Sequence, residues 1–133
     1  MATQTFLWGW ALTALSEQQG RLVCGTASGS LFSFDPETGG FIPLSTEDSD
    51  LGKIVSLLWD TKRNTLWVGA NIGLVRIETT KRTRFTESAG NPNGLPGNSI
   101  MDMSLDTQDH LRIGTSQGGL AVLDLTYYLG GKR

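Results

Sequence analysis

A block of about 44 residues recurs three times along this chain, and a period of that size points to a repeat architecture. The block reads Leu22-Val23-Cys24-Gly25-Thr26, then Leu66-Trp67-Val68-Gly69-Ala70, then Leu111-Arg112-Ile113-Gly114-Thr115. Its glycines lie 44 and 45 residues apart. Each block is followed by a second glycine and another apolar alternation: Gly29-Ser30-Leu31-Phe32, Gly73-Leu74-Val75 and Gly118-Gly119-Leu120-Ala121.

Within the middle copy, Ile54, Ser56 and Leu58 alternate with Val55, Leu57 and Trp59. Both faces of that run carry apolar groups, the pattern of a strand covered on two sides. Polar turns separate it from runs 65–70, 74–78 and 83–87, so the copy predicts four short antiparallel strands in a meander. The first copy predicts strands at 12–15, 21–26, 31–35 and 41–44, with Asp35-Pro36-Glu37-Thr38-Gly39-Gly40 as a hairpin turn. The third predicts strands at 100–106, 111–115 and 120–125, and its outer strand is missing. One such meander cannot bury two apolar faces alone. Stacked copies can, and four-stranded units stacked about an axis make a β-propeller. The expected fold is therefore all-β, a propeller of four-stranded antiparallel blades with about three blades per chain. Blade one covers 8–45, blade two 54–88 and blade three 100–125, in a single repeat domain.

These motifs resemble the two-component regulator propeller repeat. Gly94-Leu95-Pro96-Gly97-Asn98-Ser99-Ile100 matches the turn that opens such a repeat, and Asp60 and Asp106 match its strand-ending aspartate. Leu66-Trp67-Val68-Gly69 and Leu111-Arg112-Ile113-Gly114-Thr115 match its Leu-Trp-Ile-Gly-Thr element, and Gly118-Gly119-Leu120 its last. The resemblance covers residues 12–125. The first copy departs from it with Val23 in place of the tryptophan and Ser16 in place of the aspartate; the third has Arg112 at the tryptophan position. The resemblance implies a ligand-sensing extracytoplasmic region of a bacterial signalling protein, with no catalytic residue in the repeat.

Composition narrows the function. With 133 residues the chain makes one domain, and 17 glycines suit many tight turns. A net charge of −2 does not recommend nucleic acid as a partner. No apolar run approaches the roughly 20 residues of a membrane span, so no membrane partner is expected. The apolar stretch at 6–12 has no basic segment before it, and as a secretory signal it is poor. Cys24 stands alone, which rules out an internal disulfide and reads as a small buried hydrophobe.

Three blades fall short of the usual four to eight. Stacking blade three of one chain on blade one of the next would complete a ring, and two chains would give six blades. A homo-oligomer, favoured as a dimer, is the expected state. Trp8, Trp10, Arg112, Tyr127 and Tyr128 are the candidate interface residues, tryptophan being enriched where interfaces concentrate their energy. Residues 3–7 could lend an outer strand to a neighbour.

Other candidate sites read as structural. Trp67 and Trp59 are expected to pack between blades. Asp60 and Asp106 are expected to bond turn amides. Arg76, Lys81, Arg82 and Arg84, with Lys62 and Arg63 nearby, read as a solvated basic turn or an anion patch. Asp48-Ser49-Asp50 begins like a calcium loop, but Trp59 stands where the twelfth-position glutamate belongs. His110 is the only histidine, and no cofactor or metal is implied. The leading function is a non-enzymatic propeller unit that self-assembles and binds a ligand or partner through loops 45–53 and 89–98. The alternatives are a propeller enzyme acting on carbohydrate, with Asp48, Asp50 and Asp102 as its acids, and a truncated or engineered piece of a larger propeller.

Overall fold

The computed structural model describes residues 11–18, 20–44, 52–71, 73–78, 82–85, 99–116 and 118–126. They form three antiparallel sheets in chain order. Sheet one contains β1 (Leu12–Gln18), β2 (Arg21–Thr26), β3 (Leu31–Phe34) and β4 (Phe41–Pro43). Sheet two contains β5 (Ile54–Asp60), β6 (Thr65–Ala70), β7 (Gly73–Ile77) and β8 (Arg82–Phe85). Sheet three contains β9 (Ile100–Leu105), β10 (His110–Thr115) and β11 (Gly119–Asp124), and has three strands among the described residues. Each sheet is a meander in which strands pair with their sequence neighbours. The all-β, antiparallel reading of the sequence is what the chain forms.

The sheets stack through apolar faces. Val23 and Leu31 of sheet one meet Ile54, Leu57, Leu66, Val68 and Val75 of sheet two. Trp67 and Leu74, on the other face of sheet two, meet Ile100, Met103, Leu111, Ile113 and Leu123 of sheet three. Sheet two is thus covered on both sides, as the apolar residues on both faces of β5 require. Trp67 is buried between sheets two and three. Trp59 packs on the core between sheets one and two.

The repeated glycine has a steric reason. A Cβ built on Gly25 would lie 2.5 Å from Ile54 Cγ2, and one on Gly69 would lie 2.5 Å from Ile100 Cγ2. Each glycine is a notch in the second strand of one sheet, and the first residue of the next sheet's inner strand fills it. A register shift follows that first residue in β5 and β9, and the equivalent shift occurs in β1. The extra residue turns the chain so that Ile54 and Leu57 point to the same side, as do Ile100 and Met103.

Aligning the sheets on the glycines corrects one sequence reading. Gly25 pairs with Ala14, Gly69 with Ser56 and Gly114 with Asp102. Counting on, Gln18 and not Ser16 stands where Asp60 stands in sheet two. The turn after β1 has two residues, against four after β5, and that shortening hid the register. Ser16 instead ties sheet one to sheet two: its Oγ accepts a hydrogen bond from the Trp59 backbone N–H at 3.0 Å.

Candidate interaction surfaces

Each sheet presents equivalent positions to its successor. In sheet one the face toward sheet two carries Ala14, Val23, Gly25 and Leu31; in sheet two the face toward sheet three carries Ser56, Trp67, Gly69 and Leu74. The same positions in sheet three are Asp102, Arg112, Gly114 and Leu120. Leu31 and Leu74 are 3% and 0% exposed, whereas Leu120 is 65% exposed. Met101 and Val122 are exposed beside it. Among the described residues, a Cβ on Gly114 would meet only Asp102 O, at 3.9 Å, so no described side chain fills its notch.

The reverse holds at the start of the stack. Ile54 and Leu57, like Ile100 and Met103, enter the preceding sheet. Their equivalents in sheet one are Leu12 and Leu15, 38% and 57% exposed, where Ile54 and Ile100 are both 0%. On the same flank Cys24, Phe32 and Phe34 form a small buried cluster, and the apolar surface left exposed there is Leu12 and Leu15 on β1 and Phe41 on β4. Burial pushes the Cys24 thiol pKa up, which makes it a poor nucleophile.

The turns at one end of the sheets are tied by charge. Asp60 is buried, and its carboxylate accepts from the backbone N–H groups of Lys62 and Arg63 and from Arg63 Nη1 at 2.9 Å. Arg63 reaches across to Asp109 of the next sheet, and Lys62 Nζ joins it at 3.0 Å. Desolvation opposes the Arg63 charge, but its bonds to Asp109 and Asp60 outweigh that and raise its pKa. The bond from Arg63, then that from Lys62, holds the Asp109 carboxyl below its ordinary range. Asp106 is lowered chiefly by the His110 amide, with help from the Gln108 amide and the Arg112 charge. As expected, Asp60 and Asp106 fasten turns.

Of the sequence-predicted interface residues, Arg112 lies on the open face of sheet three and pairs with Asp106 at 2.8 Å. Trp8, Trp10, Tyr127 and Tyr128 lie outside the described residues, as do residues 3–7, 45–51 and 86–98. Asp48 and Asp50 are among these. Asp102 is exposed, and its Oδ1 accepts from its neighbour's amide, Met103 N, at 2.9 Å. Within the basic turn, the side chains of Lys81, Arg82 and Arg84 lie outside what the structure describes, and Arg76 is not the solvated residue that alternation implies. Arg76 is buried beside Trp67 and bonds Thr83 Oγ1, while Arg63 and Lys62 are spent on acids. No group of three or more metal-ligating side chains occurs among the described residues, and no helix there is long and apolar enough to cross a membrane. The sequence-level signal that would have found Leu12, Leu15 and Leu120 is the repeat register; their chemistry alone is unremarkable.

No family model and no curated protein matches the sequence. Solved structures do. The extracellular domain of BT4673 from B. thetaiotaomicron, assigned to a hybrid two-component system, superposes with a TM-score of 0.72 at 22% identity, over 92% of this chain and 16% of that one. The chain shares the fold of the part of that domain that it matches. The extracellular domain of BT3049 from the same organism, also assigned to a hybrid two-component system, gives 0.69 at 18% identity, over 87% of this chain and 17% of that one. The likeness agrees with the two-component regulator propeller repeats that the sequence resembles, and the chain spans about one sixth of each extracellular domain. The computationally designed Ika4 protein matches with a TM-score of 0.53 at 18% identity, over 93% of this chain and 99% of that one.

Proposed function

We propose that this chain is a non-enzymatic, sensor-type propeller unit that completes itself by association of its own copies. The observation that carries the reading is the open face of sheet three, where Leu120 is 65% exposed at a position buried in both earlier sheets. Exposed apolar surface of this kind favours association. Three sheets per chain make six in a pair of chains, within the usual range for a closed ring. Ligand recognition falls to loops 45–53 and 89–98, which follow outer strands and lead into inner ones. Likeness in fold to extracellular domains of two-component systems supports the sensor role and an extracytoplasmic setting.

Light scattering coupled to size exclusion at micromolar concentration tests the assembly. A mass of twice the chain is expected. A strictly monomeric mass would remove self-association from the reading. It would leave the sensor fold to be completed by further repeats.

A further inference from the structure

We infer that copies of this chain join head to tail through one defined seam, in which Leu12 and Leu15 of one copy fill the Gly114 notch of another under Leu120. The inference rests on the self-association proposed above and specifies its chemistry: the occupant of each open face is the opposite face of a second copy.

The chain contains this seam twice already. Sheet two enters sheet one with Ile54 at Gly25, and sheet three enters sheet two with Ile100 at Gly69. The residues three positions on, Leu57 and Met103, join the same two cores. Among the described residues, Gly114 is left as an unfilled notch and Leu12 and Leu15 as an exposed apolar pair, in equivalent positions and on opposite ends of the stack. Gly114 has no described side chain within 4 Å of its ideal Cβ. Leu12 and Leu15 stand where Ile54 and Leu57, or Ile100 and Met103, stand. A head-to-tail contact between unlike faces closes into a ring when its rotation permits.

Charge points to the same occupant. At the two internal seams the third apolar residue of the entering strand is Trp59 or Leu105, packed in the cores that contain Val23 and Trp67. At the open ends the equivalents are Glu17 and Arg112, both exposed. Apolar residues face each other inside the chain; opposite charges stand at the same positions on the two faces left free. Arg112 already pairs with Asp106, and Glu17 of a second copy would add a further carboxylate to that guanidinium. This arrangement suits a seam that must survive in water before it closes and then select its own partner.

Two variants test it. Gly114→Leu fills the notch; since among the described residues an added Cβ there meets only Asp102 O at 3.9 Å, the variant is expected to keep the wild-type fold, checked by circular dichroism. Leu15→Asp spoils the entering strand at an exposed site. Each alone is expected to raise the concentration for half-assembly about tenfold or more, the scale of a central interface residue. Mixed, they are expected to form a one-to-one dimer, because each retains the face that the other lacks. If both variants keep the wild-type mass, the seam lies elsewhere, and self-association stands without this pairing. If the mixture stays monomeric while the wild type associates, the contact is not head to tail. If the wild type is itself monomeric, both this inference and the self-association beneath it fail.

Discussion

Glycine at one residue in each repeat does what no other residue can do at the internal seams. At Gly69 a Cβ would sit 2.5 Å from Ile100 Cγ2 and 3.1 Å from its Cβ, and a β-branched side chain cannot swing clear. Gly69→Ala should therefore cost about 1–3 kcal/mol, the range for overpacking a core, whereas Gly114→Ala should stay within about 0.5 kcal/mol in the unassociated chain. Urea unfolding of the two variants at high dilution checks the contrast, and equal losses would refute the notch. Arg63 is the second decisive residue. It joins Asp60 of its own sheet to Asp109 of the next, so Arg63→Ala should cost about 1.5–3 kcal/mol, the value of charge-assisted bonds. A loss under about 0.5 kcal/mol by the same method would mean that the bridge is only decorative. The sequence displayed the glycines plainly but misplaced the arginines. Alternation along β7 sets Arg76 opposite Val75 and reads it as solvated, yet its row is shared with Trp67 and is buried. One-strand periodicity cannot report a face that another sheet covers.

At the scale of elements, the strands were legible and the turns were less so. Strand positions follow from alternating apolar residues bounded by polar turns, and the observed 21–26 and 65–70 strands coincide with their sequence bounds. Turn length is different, because nothing in hydrophobic pattern counts the residues between strands. The three inner turns contain two, four and four residues, and the shortest of them shifted the aspartate position from Gln18 to Ser16 in the sequence reading. Asn64 and Asp109 take left-handed backbone conformations there, with φ of 53° and 67°, as these residue types tolerate. The two acids of the β9–β10 turn make its stability depend on pH. Asp106 and Asp109 both have lowered pKa values in the folded chain. Their contribution is complete above the ordinary carboxylate range, near about pH 4, and is lost as pH falls through their lower folded values. Asp106→Asn and Asp109→Asn should each make stability fall less steeply on acidification below about pH 4. Urea midpoints followed from neutral to acid pH read this slope, and variants that track the wild type throughout would refute it.

For the whole molecule, the two ends of the stack decide how stability responds to concentration. Removing Leu120, Leu12 and Leu15 from water is favourable, and within one chain no described residue does it. If copies close on one another, folding and association are linked, and the apparent Tm must rise with protein concentration. A hundredfold rise in concentration above the dissociation constant adds about 2.7 kcal/mol, enough for a shift of several degrees in a chain this size. Leu120→Asp should abolish that rise while leaving the Tm at high dilution nearly unchanged, because the side chain is already in water there. Calorimetry across the concentration range measures both. A wild-type Tm independent of concentration would show that these faces gain nothing from a second copy. A Leu120→Asp variant that keeps the wild-type dependence would move the seam away from sheet three. The repeat could be read for what each sheet needs from its neighbour, but only the register of the folded strands matched the unused pair on β1 to the unfilled notch on β10.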